Sequence, residues 1–341
     1  MADFSLASMW HANLKQAGWS QKAIRRAEPA LAASTRRSYE NMLMKCRLFS
    51  QEVGISFPPT ETHEMAEFIC SLAERSERPQ SCVNTFLAAI KQVFRAAKMP
   101  DISENFAIRR LVTAVTKAQT ERPMQRSTVL PVDQLLATMK LWGDNSAMPI
   151  KFLRIKTISL LAVALMLRPS DIAPNATFFE KDSLDEKRVI FSTDMVAFKD
   201  NAMEVTLFGT KNDLDRKGFV VYLPAHSDIS VCPVAALKCY IERTSPFRRD
   251  KAVFLSLKAP FGPLSSAAVA KDLQTCLDMA GLKNSGFSAK SFRPTGATVA
   301  IDKGTEPKIV QSVGRWKSTE VFYSHYVHSK TPNTFTTTIL S

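Results

Sequence analysis

The chain has 341 residues, 45% of them hydrophobic and 23% charged, which is long enough for two ordinary domains with buried cores. Its net charge is +13, divided as 18 Lys and Arg against 12 Asp and Glu in residues 1–128 and 27 against 20 in residues 129–341, so both halves suit a polyanion gripped from two sides. Six cysteines without a C-x-x-C pair argue against a disulfide framework or structural zinc, the longest apolar run (158–167) is too short to span a bilayer, and Asp3, His11 and Lys15 interrupt any signal-like start, so a soluble intracellular protein is expected.

Residues 1–33 carry Trp10 and Trp19 in a weakly helical, polar context and read as an N-terminal arm that docks on another surface. From Ser34, the residues Tyr39, Leu43, Cys46 and Phe49 share one helical face that ends at Gly54. Thr60 is expected to cap a second helix (Met65, Phe68, Ile69, Leu72), Ser81 to open a third (Val83, Phe86, Leu87, Ile90, Val93, Phe94), and Ser103 to start a fourth through Phe106, Leu111, Val112 and Val115. Residues 34–118 are thus a helical bundle. Residues 119–131, with two prolines and no periodicity, read as a linker.

The second domain, 132–330, opens with a helix at 132–142 and a buried one at 152–167. Arg168 then precedes Pro169, which disfavours helix at the arginine and starts a new one just after it; a cation on so apolar a scaffold needs a partner or a ligand phosphate. Alternating β-branched runs at 189–191, 205–208 and 219–223 predict a three-stranded antiparallel sheet, with Lys211 where the second strand enters an exposed turn. Helices are expected at 233–243 and 266–280.

Residues 288–328 hold the polar chemistry. Gly304 and Gly314 each close an apolar, helix-spaced run, giving three short helices that return Lys290, Arg293, Trp316, Tyr323 and Tyr326 to one place. Two cations three residues apart, then an indole and a phenol, suit the holding of a phosphodiester while a hydroxyl attacks it, since guanidinium offers a planar fork to two phosphate oxygens. The chain contains neither a G-x-x-x-x-G-K-[ST] loop nor H-E-x-x-H, because Glu67 stands where the second histidine would be.

The order K-x-x-R, G-R-W, Y, together with L-R-P-S-D, resembles the two arginine boxes and the tail of the tyrosine recombinases, or phage-type integrases. The runs KSFRPTGA, GRWKS and VFYSHYV are most similar to the Crypton and DIRS-type mobile-element branch. The resemblance implies a mainly α protein with a small antiparallel sheet: a two-domain DNA clamp of a helical core-binding domain and a catalytic domain. It implies a site-specific recombinase that cuts and rejoins DNA through a 3′-phosphotyrosine without metal or cofactor. Arg168 and Arg293 would neutralise the phosphorane, Lys211 would act as general acid with Lys199 and Lys217 as rivals, Trp316 would close the pocket, and Asp171 would orient the shell. Lys290 stands where histidine is commoner. Tyr326, ten residues beyond Trp316, is the preferred nucleophile and Tyr323 the alternative. Arg36, Arg37, Arg47, Lys91 and Arg95 are the candidate DNA contacts.

The partners implied are double-stranded DNA and further copies of the chain, dimer to tetramer on DNA, with no membrane. Residues 331–341 form a tail that is a candidate for exchange with a neighbour. Such a protein works in a nucleus if the host is eukaryotic, and in the cytoplasm otherwise. The alternative is a catalytically silent DNA-binding descendant. Arg168→Lys and Arg293→Lys are both expected to abolish cleavage while sparing folding and most binding.

Overall fold

The computed structural model describes residues 6–27, 30–31, 33–120, 129–173, 191–207, 218–249 and 251–327. The chain divides into two units, Met1–Gln125 and Arg126–Ser341.

In the first unit, α1 (Leu6–Gln16), α2 (Gln21–Ala27), α3 (Ala33–Val53), α4 (Thr62–Arg75), α5 (Pro79–Ala97) and α6 (Phe106–Thr120) gather around α5. The expected apolar faces supply the core: Leu43 and Cys46 from α3, Met65, Phe68 and Ile69 from α4, and Val83, Phe86, Ile90, Val93 and Phe94 from α5 are all buried. Phe68 meets Phe86 edge-on at 4.8 Å. The described part of the N-terminal segment packs on the first unit. Leu6 of α1 is buried in this same core, and Asn13 Nδ2 donates to the Ala96 carbonyl at 2.6 Å, so the segment docks on its own unit.

The start of α4 also differs from expectation, because Glu61 rather than Thr60 is its N-cap. One carboxylate makes this junction. Glu64 accepts from the Ser56 amide at 3.0 Å, the Ser56 hydroxyl at 2.5 Å, and the Thr60 and Glu61 amides at 2.9 and 3.2 Å. The Ser56 hydroxyl foremost, then these amides, holds its pKa down at about 2.

The second unit contains α7 (Val132–Leu141), α8 (Ile150–Ala164), α9 (Pro169–Ile172), α10 (Pro233–Thr244), α11 (Ser266–Met279), α12 (Phe292–Asp302), α13 (Pro307–Val313) and α14 (Thr319–Tyr326). α8 runs through the core, buried from Leu153 to Ala162, with α10, α11 and α12 packed around it. Even its Arg154 is inside, and its guanidinium is matched by Asp272 at 2.7 and 3.1 Å and by the Leu255 carbonyl at 3.1 Å.

The sheet has the expected three antiparallel strands, β1 (Val196–Lys199), β2 (Ala202–Leu207) and β3 (Phe219–Pro224), in the order β1-β2-β3 with Lys199 opposite Ala202 and Leu207 opposite Phe219. Among the described residues its first strand is β1; most of the strand expected at 189–191 lies outside them. Residues 189 and 190 lie outside the described residues, while Phe191 is a buried core residue, Ser192 bridges Ala252 and caps a short 3-10 turn, and pairing within the three-stranded sheet begins at Val196. The architecture is therefore mainly helical with a small antiparallel sheet. Among the described residues no helix is long and apolar enough to cross a membrane.

Candidate active site

The site is assembled on the C-terminal end of α8. That helix closes with the Met166 amide on the Val163 carbonyl (3.3 Å) and the Leu167 amide on the Ala162 carbonyl (3.2 Å), with Met166 in the left-handed region at φ +49°. This is a Schellman closure made without glycine. The chain then straightens at Arg168, which Pro169 forces out of helix, and α9 begins. Asp171 reaches back to the Arg168 amide at 3.0 Å and sits 3.8 Å from the Arg168 guanidinium, whose side chain stays 29% exposed.

Arg293 enters from the first turn of α12 and is 3% exposed. One terminal nitrogen donates to the Met166 carbonyl that the left-handed turn presents, the other to the Gly314 carbonyl at 2.5 Å, and Nε is buried without a partner. α12 lies close enough to deliver this side chain because residue 296 is glycine: a Cβ there would stand 2.2 Å from the Val163 carbonyl oxygen of α8.

The turn between α13 and α14 brings Gly314, Arg315 and Trp316. A Cβ on Gly314 would lie 1.7 Å from the Trp316 ring, so only glycine lets the indole fold back over its own backbone. The Arg293 guanidinium lies 4.1 Å from the centre of that indole, the geometry of a cation–π contact. Tyr326, at the end of α14, stacks against Trp316 at 4.7 Å between ring centres, with the Arg293 guanidinium 5.3 Å from its own ring. The indole Nε1 is buried and turned toward the Tyr326 phenol, whose ionised form it favours.

Arg168, Asp171, Arg293, Trp316 and Tyr326 are thus brought together. Tyr323 is not: it is 48% exposed, packed edge-on against Phe322, which is itself buried beside Trp316. Lys290 is exposed ahead of α12. Lys211 and Lys217 lie outside the described residues, and Lys199 stands on β1 with Glu204 3.7 Å away. In the other unit Arg37 and Arg95 are exposed, Arg36 and Arg47 are half-buried, and Lys91 is engaged by Glu104. Arg36 and Arg95 line a cavity of about 310 Å³ beneath α1.

Sequence reasoning passed over Arg315. It is only 9% exposed and donates to Asp171 Oδ2 at 3.0 Å. A cation set between an obligatory glycine and a buried tryptophan was the available signal.

Two guanidiniums, those of Arg168 and Arg315, therefore lie against the Asp171 carboxylate, with Arg293 as a third cation nearby. Burial, then the like charge of Arg168, holds the Arg293 pKa well below its ordinary value; burial does the same to Arg315, partly offset by Asp171. Burial raises the Tyr326 phenol, but the charges of Arg168 and Arg293 more than reverse this, and its pKa is lowered. A site short of negative charge, with a phenol inclined to ionise, suits an anionic ligand and a tyrosine nucleophile.

The sequence matches no protein-family model and no curated protein. Solved structures do match. The XerH site-specific recombinase bound to its palindromic difH substrate, a post-cleavage complex, shares 14% identity over 90% of this chain and 80% of that one, with a TM-score of 0.61. A lambda integrase dimer bound to a COC′ core site shares 15% over 94% and 98%, with a TM-score of 0.54. The Tn1549 transposon integrase in complex with circular intermediate DNA shares 12% over 99% and 100%, with a TM-score of 0.53. Across nearly its whole length, the chain has the fold of the tyrosine recombinases.

Proposed function

We propose that this chain is a site-specific DNA strand transferase that cuts and rejoins double-stranded DNA through a 3′-phosphotyrosine on Tyr326. The observation that carries the reading is the Tyr326 phenol beside Arg168, Arg293 and Trp316, with its pKa lowered by the two cations. The tyrosine oxygen attacks the scissile phosphorus, the phenolic proton leaves, and the 5′-oxygen departs as a hydroxyl. A free 5′-hydroxyl reverses these steps on a partner strand, so the phosphodiester energy is conserved. Arg168 and the indole Nε1 stabilise the charge that develops on phosphate oxygens, and Arg293 adds its field from beneath. Lys211 is assigned as the general acid on the resemblance alone. The motifs KSFRPTGA and GRWKS support a mobile-element recombinase of the Crypton and DIRS type, acting as a multimer on DNA.

One observation favours the silent descendant: both terminal nitrogens of Arg293 are already held by backbone carbonyls. A nicked suicide substrate separates the two readings. A covalent protein–DNA adduct that maps to Tyr326, survives Tyr323→Phe and disappears in Tyr326→Phe is expected. Tight DNA binding with no adduct from the unmodified chain would leave only the silent reading.

A further inference from the structure

Arg315 has no part in the chemistry above, yet the chain goes to some length to place it. Its backbone is left-handed at φ +60°, a conformation that costs a side-chain-bearing residue about 1 kcal/mol, although a glycine stands immediately before it. Its side chain is buried, with one terminal nitrogen 3.4 Å from the Val313 carbonyl and the other 3.0 Å from Asp171 Oδ2. That same carboxylate oxygen accepts the Arg168 amide at 3.0 Å, and the Arg168 guanidinium stands 3.8 Å away.

Asp171 is 2% exposed, and a buried carboxylate demands a close cation. Two are within reach. Arg168 is three residues away on the same turn, and with no competitor it would close onto Asp171 and turn from Tyr326. We propose that Arg315 is a positioning residue that supplies the counter-charge of Asp171 and thereby keeps the Arg168 guanidinium free to face the Tyr326 phenol and the phosphate. The inference deepens the recombinase reading and rests on it only for the catalytic arm of the test.

Among the described residues, the charged and polar groups facing the Tyr326 phenol are Arg168 from the α8–α9 junction, Arg293 from α12 and the indole of Trp316, while the Thr298 hydroxyl of α12 donates to the Tyr326 carbonyl. Arg315 is not among them, so its removal acts on the phenol through Asp171 and Arg168. The chain has five tyrosines, and Tyr326 can be followed by ¹³C-tyrosine NMR of the full chain, with Tyr326→Phe identifying its signal. Arg315→Gln should move the Tyr326 titration upward, and Arg315→Lys should move it less, since lysine keeps the charge with a different reach. On the suicide substrate at saturating protein, Arg315→Gln should slow adduct formation about a hundredfold at unchanged DNA affinity, the scale expected when a reacting group is misplaced.

An unmoved titration in folded Arg315→Gln overturns the proposal, as does a rate loss accounted for by weaker DNA binding. If the glutamine variant does not fold, Arg315→Lys carries the test, with an intermediate upward move expected and none overturning it. Absence of adduct from the unmodified chain refutes the nucleophile assignment, while the NMR arm still decides the role of Arg315.

Discussion

Replacing Arg293 by lysine should damage the fold as well as the chemistry, and the structure gives the size of the damage. The guanidinium bridges the end of α8 and the turn before α14, donating to carbonyls 127 and 21 residues away in the chain. A lysine ammonium is a compact point donor without the planar fork, so at least one of these buried carbonyls loses its partner. Hydrogen bonds from a charged donor are worth about 1.5–3 kcal/mol each, and the stack on Trp316 adds about 1–2 kcal/mol, of which lysine keeps part. The expected loss is about 2–4 kcal/mol. For a unit of this size that lowers the melting temperature by roughly 4–16 °C. Arg168→Lys is the matched control: its side chain is partly exposed and its ion pair long, so about 0–1 kcal/mol is expected. Thermal melts of the full chain, read beside adduct yield, check both. Equal melts for the two variants would refute the bridging role and restore the expectation, drawn from sequence, that either lysine spares folding.

Gly314→Ala should expel the indole from its place and cost about 1–3 kcal/mol, seen as a lower melt together with loss of adduct. Glu64→Gln should destabilise the helical unit by about 1–3 kcal/mol at neutral pH. Because the folded pKa of Glu64 is held at about 2, below its unfolded value, the contribution is present above pH about 4.5 and fades as pH falls toward 2; denaturation of both proteins across that window should show the gap closing. Asp272→Asn should cost about 3–5 kcal/mol by leaving the Arg154 guanidinium buried without its counter-charge, measurable by urea unfolding.

Periodicity made the helices legible, because faces such as Phe86, Ile90, Val93 and Phe94 state in local order what the core will bury. The strand β1, which no expectation named, shows the limit of that signal. β1 is short, only half-buried along one face, and announced mainly by the turn Asp200–Asn201. α1 was obscured by polar residues flanking the few apolar ones that bury. At the site, the motifs L-R-P-S-D, K-x-x-R and G-R-W and their order singled out Arg168, Arg293, Trp316 and Tyr326, which the fold brings together. The bond from Arg315 to Asp171 spans 144 residues, and no local pattern announces a pairing at that separation. The dual duty of Arg293 was hidden for the same reason.

The bridging guanidinium also makes competence and completeness one event. Its donors meet carbonyls supplied by the end of α8 and by the turn that follows α13, so the centre exists only once α8, α12 and that turn have closed on one another. A chain caught part-way, with the last two helices still loose, holds a stray phenol and unassembled cations. Partial unfolding would therefore scatter the cations and the phenol together, and on the proposed reading only a fully closed chain could cut a strand.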